Sequence, residues 1–491
     1  MTRTIFLLLL ILAAERPPAQ PADTAGRLTG RALAETPLLD DLRELTDTIG
    51  GRPTGSPACE RAVAWAAARF KAAGLQTVSR ERFTVPALWL PGTAEAASLS
   101  PEAFPIRVVA SPYSASTPGG GFLEAQLVDA GDGSPEEFER LGPSASGAIA
   151  LVSSTEMKSL DDLFVEYIRT APMLEAASKA RVAALLLMST RPRGLLYRHP
   201  VSVNGTIVPM PVGLASREQT ARLRRLMERG PVRVRLKLAN VTGGAYESEN
   251  VIAEICGRER PEEIVLIGAH LDSWDLGTGA EDNGVNVALV LDVARGFTQL
   301  ALAPRRTVRF ALYTGEEQGL WGSAGYVTSH AREMDKHAAV LVLDMGSGRI
   351  TGFYLNGRED LRAPLARALE PLAGLGPFQI LKEALDGSDN FDFLLAGVPN
   401  LFAAQDVSNY LPEYHAESDV FDRVNTREAK SNVAIASALI WALAESPDRP
   451  IPRQTRAEVE ELLVKTGIDS QMKAFGQWND WTAGQRGAHS R

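Results

Sequence analysis

Apolar runs and helical patterns alternate along the second half of the chain. Three runs predict buried strands: residues 263–269 are apolar after Glu263, residues 338–343 are apolar throughout, and residues 307–313 are apolar apart from Thr307 and Arg309. Helical spacing of apolar residues follows each run, over residues 285–297, 325–334 and 361–372. Residues 251–255 alternate like an edge strand, and residues 398–402 form a late strand. This order predicts an α/β fold, with a mixed, largely parallel sheet flanked by helices.

The first half of the chain contains two different sequence patterns. A Gly-rich loop at residues 50–57 supplies Ser56 as an N-cap and Pro57 as the first residue of a helix that ends near residue 73. After a strand at residues 76–83, short strands alternate with turns up to about residue 244, which predicts an inserted β-rich domain. The sequence predicts a signal peptide at residues 1–20 and a catalytic domain in two parts, residues 36–97 and 246–447. The insert lies between these parts, at residues 98–245, and a C-terminal helix and tail occupy residues 448–491.

The N-terminus carries an export pattern. One arginine precedes a short apolar block that ends in small residues. A bilayer span needs about 20 residues, so the block predicts a secretory signal peptide and a secreted or periplasmic protein. The alternatives are a disordered or buried N-terminal segment and an uncleaved anchor. Residues 18–35, rich in Pro, Ala and Thr, are predicted to form a flexible lead-in.

The net charge bears on nucleic-acid binding, and the two cysteines bear on disulfide formation and metal binding. The net charge of −9 argues against a nucleic-acid partner. The two cysteines, Cys59 and Cys256, match no zinc or redox spacing. An exported protein could join them, but two separate buried thiols are the favoured interpretation because free cysteine is among the most buried residue types.

Chemically capable side chains follow all three buried strands. His270 follows the first strand, Glu316 and Glu317 follow the second, and Asp344 ends the third. Ligand sites gather at the carboxyl ends of strands in open α/β sheets. Asp282, in a Gly-rich loop, and His415, in a late loop, complete the set.

Two imidazoles and three carboxylates are a ligand set that suits zinc. One zinc ion takes about four ligands, so five protein ligands indicate two Zn²⁺ ions and a bridging carboxylate. One of the two adjacent glutamates then remains free as a general base for a metal-activated water. Asp272, two residues after His270, is predicted to fix the imidazole tautomer; the alternative is a simple loop cap.

These motifs resemble the di-zinc exopeptidase family, which includes aminopeptidases and glutamate carboxypeptidase, and most of all its carboxypeptidase Q group. The segments that carry the likeness are residues 250–255, 270–282 and 316–319. The resemblance implies that Asp282 bridges the ions, with His270 and Asp344 at one zinc and Glu317 and His415 at the other. It implies Glu316 as the general base and a cis peptide at Asp282-Asn283.

The resemblance carries further expectations. The insert is expected to be a protease-associated domain without catalytic residues, and a homodimer is expected. Asp389 falls in a substrate-side loop, where it could meet a free amino terminus; the alternative, a helix N-cap, is slightly favoured. Asn283 and Ala416 depart from the carboxypeptidase Q pattern without removing a ligand.

The sequence therefore predicts a zinc-dependent exopeptidase that cleaves dipeptides or short peptides. An aminopeptidase of the same fold is the nearest alternative, since the ligand set is shared. A non-catalytic receptor homologue would have lost ligands, and a glutaminyl-cyclase-like transferase is disfavoured by the insert. A serine hydrolase is disfavoured because the chain has no Gly-x-Ser-x-Gly segment.

Overall fold

The computed structural model describes residues 23–448 and 450–487. Their strands form two eight-stranded sheets. In spatial order, the first sheet contains β1 (Thr77–Val85), β10 (Tyr246–Ile255), β12 (Arg306–Tyr313), β11 (Arg260–His270), β13 (His337–Val342), β16 (Asn400–Gln405), β14 (Ile350–Tyr354) and β15 (Gln379–Leu381). The second contains β3 (Phe104–Ile106), β2 (Leu88–Ser100), β9 (Arg233–Gly243), β5 (Leu123–Asp129), β6 (Ile149–Val152), β7 (Ala184–Met188), β8 (Val212–Ala215) and β4 (Val108–Ala110).

The α-helices are distributed around both sheets. They are α1 (Thr24–Leu33), α2 (Leu38–Arg43), α3 (Pro57–Ala72), α4 (Pro135–Leu141), α5 (Leu160–Lys179), α6 (Arg217–Met227), α7 (Val285–Gln299), α8 (Trp321–Ser329), α9 (Arg362–Leu369), α10 (Asn390–Leu395), α11 (Tyr410–Glu413), α12 (Thr426–Glu445), α13 (Arg456–Thr466), α14 (Ile468–Ala474) and α15 (Trp478–Thr482). The predicted signal peptide at residues 1–20 lies outside the described residues.

The first sheet has four parallel strands at its centre, in the order β12, β11, β13 and β16. Along β11, Val265 and Ile267 pack into the core shared with α7 and α12, whereas Ile264 and Leu266 pack into the core shared with α8 and α10. Helices therefore cover both faces, and the predicted fold class is confirmed. The expected edge strand is wrong: β10 lies between β1 and β12, and β1 is the edge.

The second sheet begins earlier than the predicted boundary at residue 98. Strand β2 starts at Leu88 and pairs antiparallel with β9 along most of its length. Pro91 and Gly92 give this segment the look of a turn in the sequence, but the pairing continues on both sides of an irregularity between Leu90 and Thr93. The chain thus leaves the first sheet after β1 and returns to it at β10.

The expected flexible lead-in contains helix α1. Asp23 caps it by accepting a hydrogen bond from the Gly26 amide at 2.9 Å. Leu28 and Ala32, four residues apart, are buried in the core of the first sheet, and Arg31 donates to Asp292 on α7 at 2.6 Å. Only these few apolar positions carry the helical signal, which is why composition suggested a loop.

The C-terminal segment is larger than the expected helix and tail. Its three helices pack with Leu320 and α10 around a core that includes Leu463 and Trp481. Arg486 forms a buried bidentate pair with Asp392 on α10, with N–O distances of 2.7 and 3.0 Å. The segment therefore supports α10 and the loop that follows Glu317.

We expect Arg486→Met to destabilise the folded protein strongly. The substitution leaves the buried Asp392 carboxylate without its cation, which costs about 3–5 kcal/mol in comparable cases. Urea unfolding followed by tryptophan fluorescence measures the effect as a fall in the transition midpoint. Arg362→Met, which breaks an exposed pair with Glu359, is the matched control and should shift the midpoint little. Equal shifts in the two variants would contradict this interpretation of the pair.

Two smaller expectations can be compared with the structure. Cys59 and Cys256 are both free thiols, but only Cys59 is buried and Cys256 is exposed, so the expectation of two buried thiols is half wrong. Within the described ranges, no helix is both long and apolar enough to cross a bilayer.

Candidate metal centre

The central strands bring distant residues of the sequence together at one edge of the first sheet. His270 is the last residue of β11, Glu316 follows β12, and Asp344 follows β13. Because these strands run parallel, their carboxyl ends meet. Ligand atoms of His270, Glu316 and Asp344 all lie within 4.8 Å of one another, and so do those of His270, Asp282 and Glu317.

The Asp282 carboxylate lies between the two imidazoles. Its Oδ1 is 3.2 Å from His270 Nε2, and its Oδ2 is 3.5 Å from His415 Nε2. Asp344 Oδ1 lies 2.9 Å from His270 Nε2 on one side, and Glu317 Oε2 lies 2.8 Å from His415 Nε2 on the other. The cluster thus has two ends that share one carboxylate, and the peptide bond between Asp282 and Asn283 is cis.

Hydrogen bonds at Nδ1 aim both imidazoles into the cluster. His270 Nδ1 donates to the Asp272 carbonyl at 3.1 Å, and His415 Nδ1 donates to the Arg198 carbonyl at 3.0 Å. In the neutral form of each ring, this selects the tautomer in which Nε2 carries the free lone pair. Burial lowers the pKa of His415 to about 4, so that its imidazole is neutral at pH 7.

The electrostatics of the cluster favour bound cations. Burial raises the pKa of Glu316 and of Glu317 well above the usual value of a glutamate, and neighbouring carboxylates in the same enclosed space raise both further. Asp282 Oδ2 and Glu317 Oε1 are buried and accept no hydrogen bond within the described part of the chain. Buried anionic oxygens without donors are expected to be paired or to coordinate metal. The residues therefore fit a metal centre of nitrogen and carboxylate ligands.

Two glycines shape the turn that carries Glu316 and Glu317. Gly315 has φ +77° and Gly319 has φ +128°, values that favour glycine. The turn lets both adjacent side chains face the cluster, as the sequence suggested. Glu316 Oε2 lies 3.9 Å from His270 Nε2, and Glu317 contacts His415.

Asp272 lies next to the cluster but contacts it differently from the prediction. Its carboxylate Oδ1 is 3.6 Å from His270 Nδ1, beyond hydrogen-bond distance, and the imidazole is held instead by the Asp272 carbonyl. The carboxylate accepts a hydrogen bond from the Gly315 amide at 3.0 Å. Asp272 therefore holds the turn of Glu316 with its side chain and the His270 ring with its backbone.

Asp389 is wholly buried at the N-terminus of α10, and neither of its carboxylate oxygens has a hydrogen-bond partner within the described ranges. Asp389 occupies the N-cap position of α10, as the alternative had it, but its side chain makes no capping hydrogen bond to the helix. Burial raises the pKa of Asp389 well above its usual value, and it interacts electrostatically with His270 and Asp344. A buried carboxylate without a donor beside the cluster is suited to a cationic group of a ligand.

Comparison with known proteins supports the resemblance that the motifs suggested. Residues 250–440, which include the five candidate ligands and Glu316, match the model of peptidase family M28. The resemblance inferred from the motifs is thereby confirmed.

The similarity to known proteins extends over most of the chain. Carboxypeptidase Q of Bos taurus is 28% identical over 442 residues, which cover 89% of each chain. The crystal structure of a peptidase M28 precursor from Shewanella amazonensis superposes with a TM-score of 0.78 at 29% identity and covers 88% of this chain and 98% of that one. A zinc aminopeptidase from Bacillus subtilis shares the fold at 22% identity, with a TM-score of 0.66 and coverage of 84% and 95%.

The surroundings of the cluster also contain supporting residues that the sequence did not single out. Asp419 accepts hydrogen bonds from the amides of Ala280 and Glu281 at 2.9 and 2.7 Å, and from the Asp282 amide at 3.2 Å. It thereby fixes the loop that presents Asp282. The position of Asp419, four residues after His415, was the one feature of the sequence that could have indicated this role. An Asp at that spacing is also common on ordinary loops.

Arg52 supports the same loop from the Gly-rich segment before α3. Its buried guanidinium donates to the carbonyls of Leu271, Thr278 and Gly279. A side chain at Gly279 would collide with Ser273 and Arg52, which accounts for the glycine there. The sequence predicted a turn and a helix start in this segment but not the role of Arg52. Its partners are backbone carbonyls, which leave no pattern in a sequence.

Proposed function

We propose that the chain is a zinc-dependent metallo-exopeptidase that hydrolyses dipeptides or short peptides. The observation that carries the proposal is the Asp282 carboxylate between two imidazole Nε2 atoms, with Glu316 beside them. Zinc is proposed because two nitrogen and three carboxylate ligands suit it and because a structural relative is named a zinc aminopeptidase.

Each end of the cluster would hold one ion. His270 and Asp344 serve one position, Glu317 and His415 serve the other, and Asp282 is shared between them. When bound, zinc supplies Lewis acidity that polarises the peptide carbonyl and lowers the pKa of water to about 7. Glu316 has no ligand role in this assignment and is left as the general base.

Glu316 moves the proton during hydrolysis. Water adds to the carbonyl carbon of the peptide bond while Glu316 Oε2 takes a proton from it. The same carboxyl group then gives that proton to the nitrogen of the leaving amine as the C–N bond breaks. Asp272 keeps Glu316 in place through the backbone of its turn, and Asp389 binds the free amino terminus of the substrate.

The enclosure of the site supports short substrates. The His270 side chain is 1% exposed and that of Glu316 is 10% exposed. Residues of the second sheet region contribute to this cover: the Tyr167 hydroxyl on α5 lies 3.1 Å from the hydroxyl of Tyr414, whose ring stacks on His415. A site so enclosed suits a dipeptide better than a loop of a folded protein. The second sheet region is proposed to be a non-catalytic, protease-associated-like cover.

Export and a homodimer complete the proposal. Export rests on the predicted signal peptide, whose residues are not described, and a dimer rests on resemblance alone. Size-exclusion chromatography with light scattering tests the dimer, and N-terminal sequencing of the mature protein tests the cleavage expected within the first 20 residues or so.

A substrate panel tests the reaction class. Free dipeptides, the same dipeptides as C-terminal amides, N-acetylated dipeptides and aminoacyl nitroanilides are compared by kcat/KM. The proposal expects free dipeptides to be the preferred substrates and phenanthroline to abolish their cleavage. Cleavage of the nitroanilides alone would establish the aminopeptidase alternative instead.

We expect Asp389→Asn to raise KM for free dipeptides by about 10- to 100-fold, since hydrogen bonds to charged groups contribute about 1.5–3 kcal/mol. N-acetylated dipeptides lack the ammonium group, so their slower cleavage should change little. The same panel measures both. A uniform loss across blocked and free substrates would contradict the assignment of Asp389 to the amino terminus.

A further inference from the structure

The Gly-rich loop before α3 contacts both halves of the metal cluster. Arg52 binds the carbonyls of the loop that leads to Asp282, as described above. Two residues later, Thr54 is wholly buried, and its hydroxyl lies against the turn that leads to Glu316. The loop at residues 50–56 thus joins the metal-ligand loop to the general-base turn.

The Thr54 hydroxyl has both of its hydrogen-bonding roles filled at this turn. It donates to Asp272 Oδ2 at 2.8 Å and accepts from the Gly315 amide at 2.7 Å. The Gly315 amide also approaches Asp272 Oδ2 at 3.0 Å. Hydroxyl, carboxylate and amide therefore form a closed triangle one residue before Glu316.

Further contacts tie the triangle to the surrounding turn. The Glu316 amide points at Asp272 Oδ1 at 3.4 Å, and the Gln318 side chain donates to the Thr54 carbonyl at 3.0 Å. Among the hydrogen bonds of the described residues, the Thr54 hydroxyl reaches the backbone of the turn and not the Glu316 carboxylate. Any effect of Thr54 on catalysis therefore acts through the backbone of that turn or through Asp272.

We propose that Thr54 is a positioning residue for the general base: its hydroxyl holds the turn at residues 314–316 where the Glu316 carboxylate reaches the reacting water. This inference rests on the proposed role of Glu316. A catalytic carboxylate must be held to within about 0.5 Å of its productive position by the groups behind it. The single N–H of Gly315 is divided between two acceptors, and the Thr54 hydroxyl at 2.7 Å is nearer to it than Asp272 Oδ2 at 3.0 Å.

The decisive variant is Thr54→Val, which keeps the shape of the side chain and removes the hydroxyl. Loss of a supporting hydrogen bond behind a catalytic group typically costs about 10- to 100-fold in activity. We expect kcat on the preferred dipeptide to fall by about that factor, with KM and zinc content nearly unchanged. Thr54→Ser retains the hydroxyl and should restore most of kcat. Thr54→Ala serves the same test if the valine variant fails to fold.

Thr117→Val is the matched control. Thr117 is equally buried in the second sheet region, and its hydroxyl donates to the Gly121 carbonyl at 2.6 Å and accepts from the Leu238 amide at 3.1 Å, so its loss affects stability without reaching the turn. Unchanged kcat in Thr54→Val, an equal loss in Thr54→Ser, or a loss that follows zinc content would overturn the inference. The Glu316→Gln variant distinguishes a failure of the Thr54 inference from a failure of the proposed function. If Glu316→Gln is inactive while Thr54→Val is fully active, Glu316 keeps its role as general base and only Thr54 is misassigned.

Discussion

Glu316→Gln should lose kcat on dipeptides by about 10²–10⁴-fold, the usual contribution of a general base, while its zinc content stays normal. The amide has nearly the shape of the carboxylate but cannot accept the proton of the attacking water. KM should change little, because the Glu316 side chain is assigned to the reaction and not to binding. Steady-state kinetics on zinc-loaded protein measures both constants.

The neighbouring residue provides the matched control for this experiment. Glu317→Gln changes the same group by one position, but Glu317 faces His415 at 2.8 Å and is assigned as a ligand. This variant should lose zinc together with activity, and excess zinc should restore part of the rate. The assignment of the two glutamates is reversed if Glu316→Gln loses zinc and Glu317→Gln keeps it.

Asp282→Ala should lose both zinc ions, whereas His415→Ala should lose one. The Asp282 carboxylate lies between His270 and His415, so its removal takes a ligand from each position. His415→Ala leaves His270, Asp344 and Asp282 intact at the other end. Substitution of groups that merely support ligands costs about 10- to 100-fold in affinity, and we expect removal of a direct ligand to cost more. Elemental analysis after dialysis measures the ions retained per chain.

His330→Ala controls for the loss of any imidazole paired with carboxylates. His330 lies 2.9 Å from Glu81 and 3.0 Å from Glu333, outside the cluster. The His330→Ala variant should retain the zinc content of the unaltered protein. Equal zinc loss in Asp282→Ala and His415→Ala would show that Asp282 is not shared between the two positions.

The sequence predicted the central sheet well because its strands carry strong local patterns. Residues 264–269 and 338–343 are continuous apolar runs, and each is followed at once by a residue that can bind a metal, His270 or Asp344. Parallel strands order their carboxyl ends at one edge, so these two residues and Glu316 could be grouped without coordinates. Asp282 and His415 lie on loops, and their place came from resemblance and from counting ligands.

Other features have no local signal. Helix α1 buries only a few apolar side chains and is stabilised by contacts with α7 and α12, far away in the sequence. Strand β2 contains Pro91 and Gly92, and its pairing with β9 over a long sequence distance outweighs their turn propensity. Arg52 donates to backbone carbonyls and Thr54 accepts from the Gly315 amide. Nearly every residue provides such groups, so these contacts leave no mark in the sequence.

The most direct test of the metal centre is an anomalous difference map measured at the zinc edge on crystals of zinc-loaded protein. We expect two peaks in the cluster, one beside His270 and Asp344 and one beside Glu317 and His415, with the Asp282 carboxylate between them. A single peak, or peaks bound by other side chains, would contradict the assignment of two ions to this cluster.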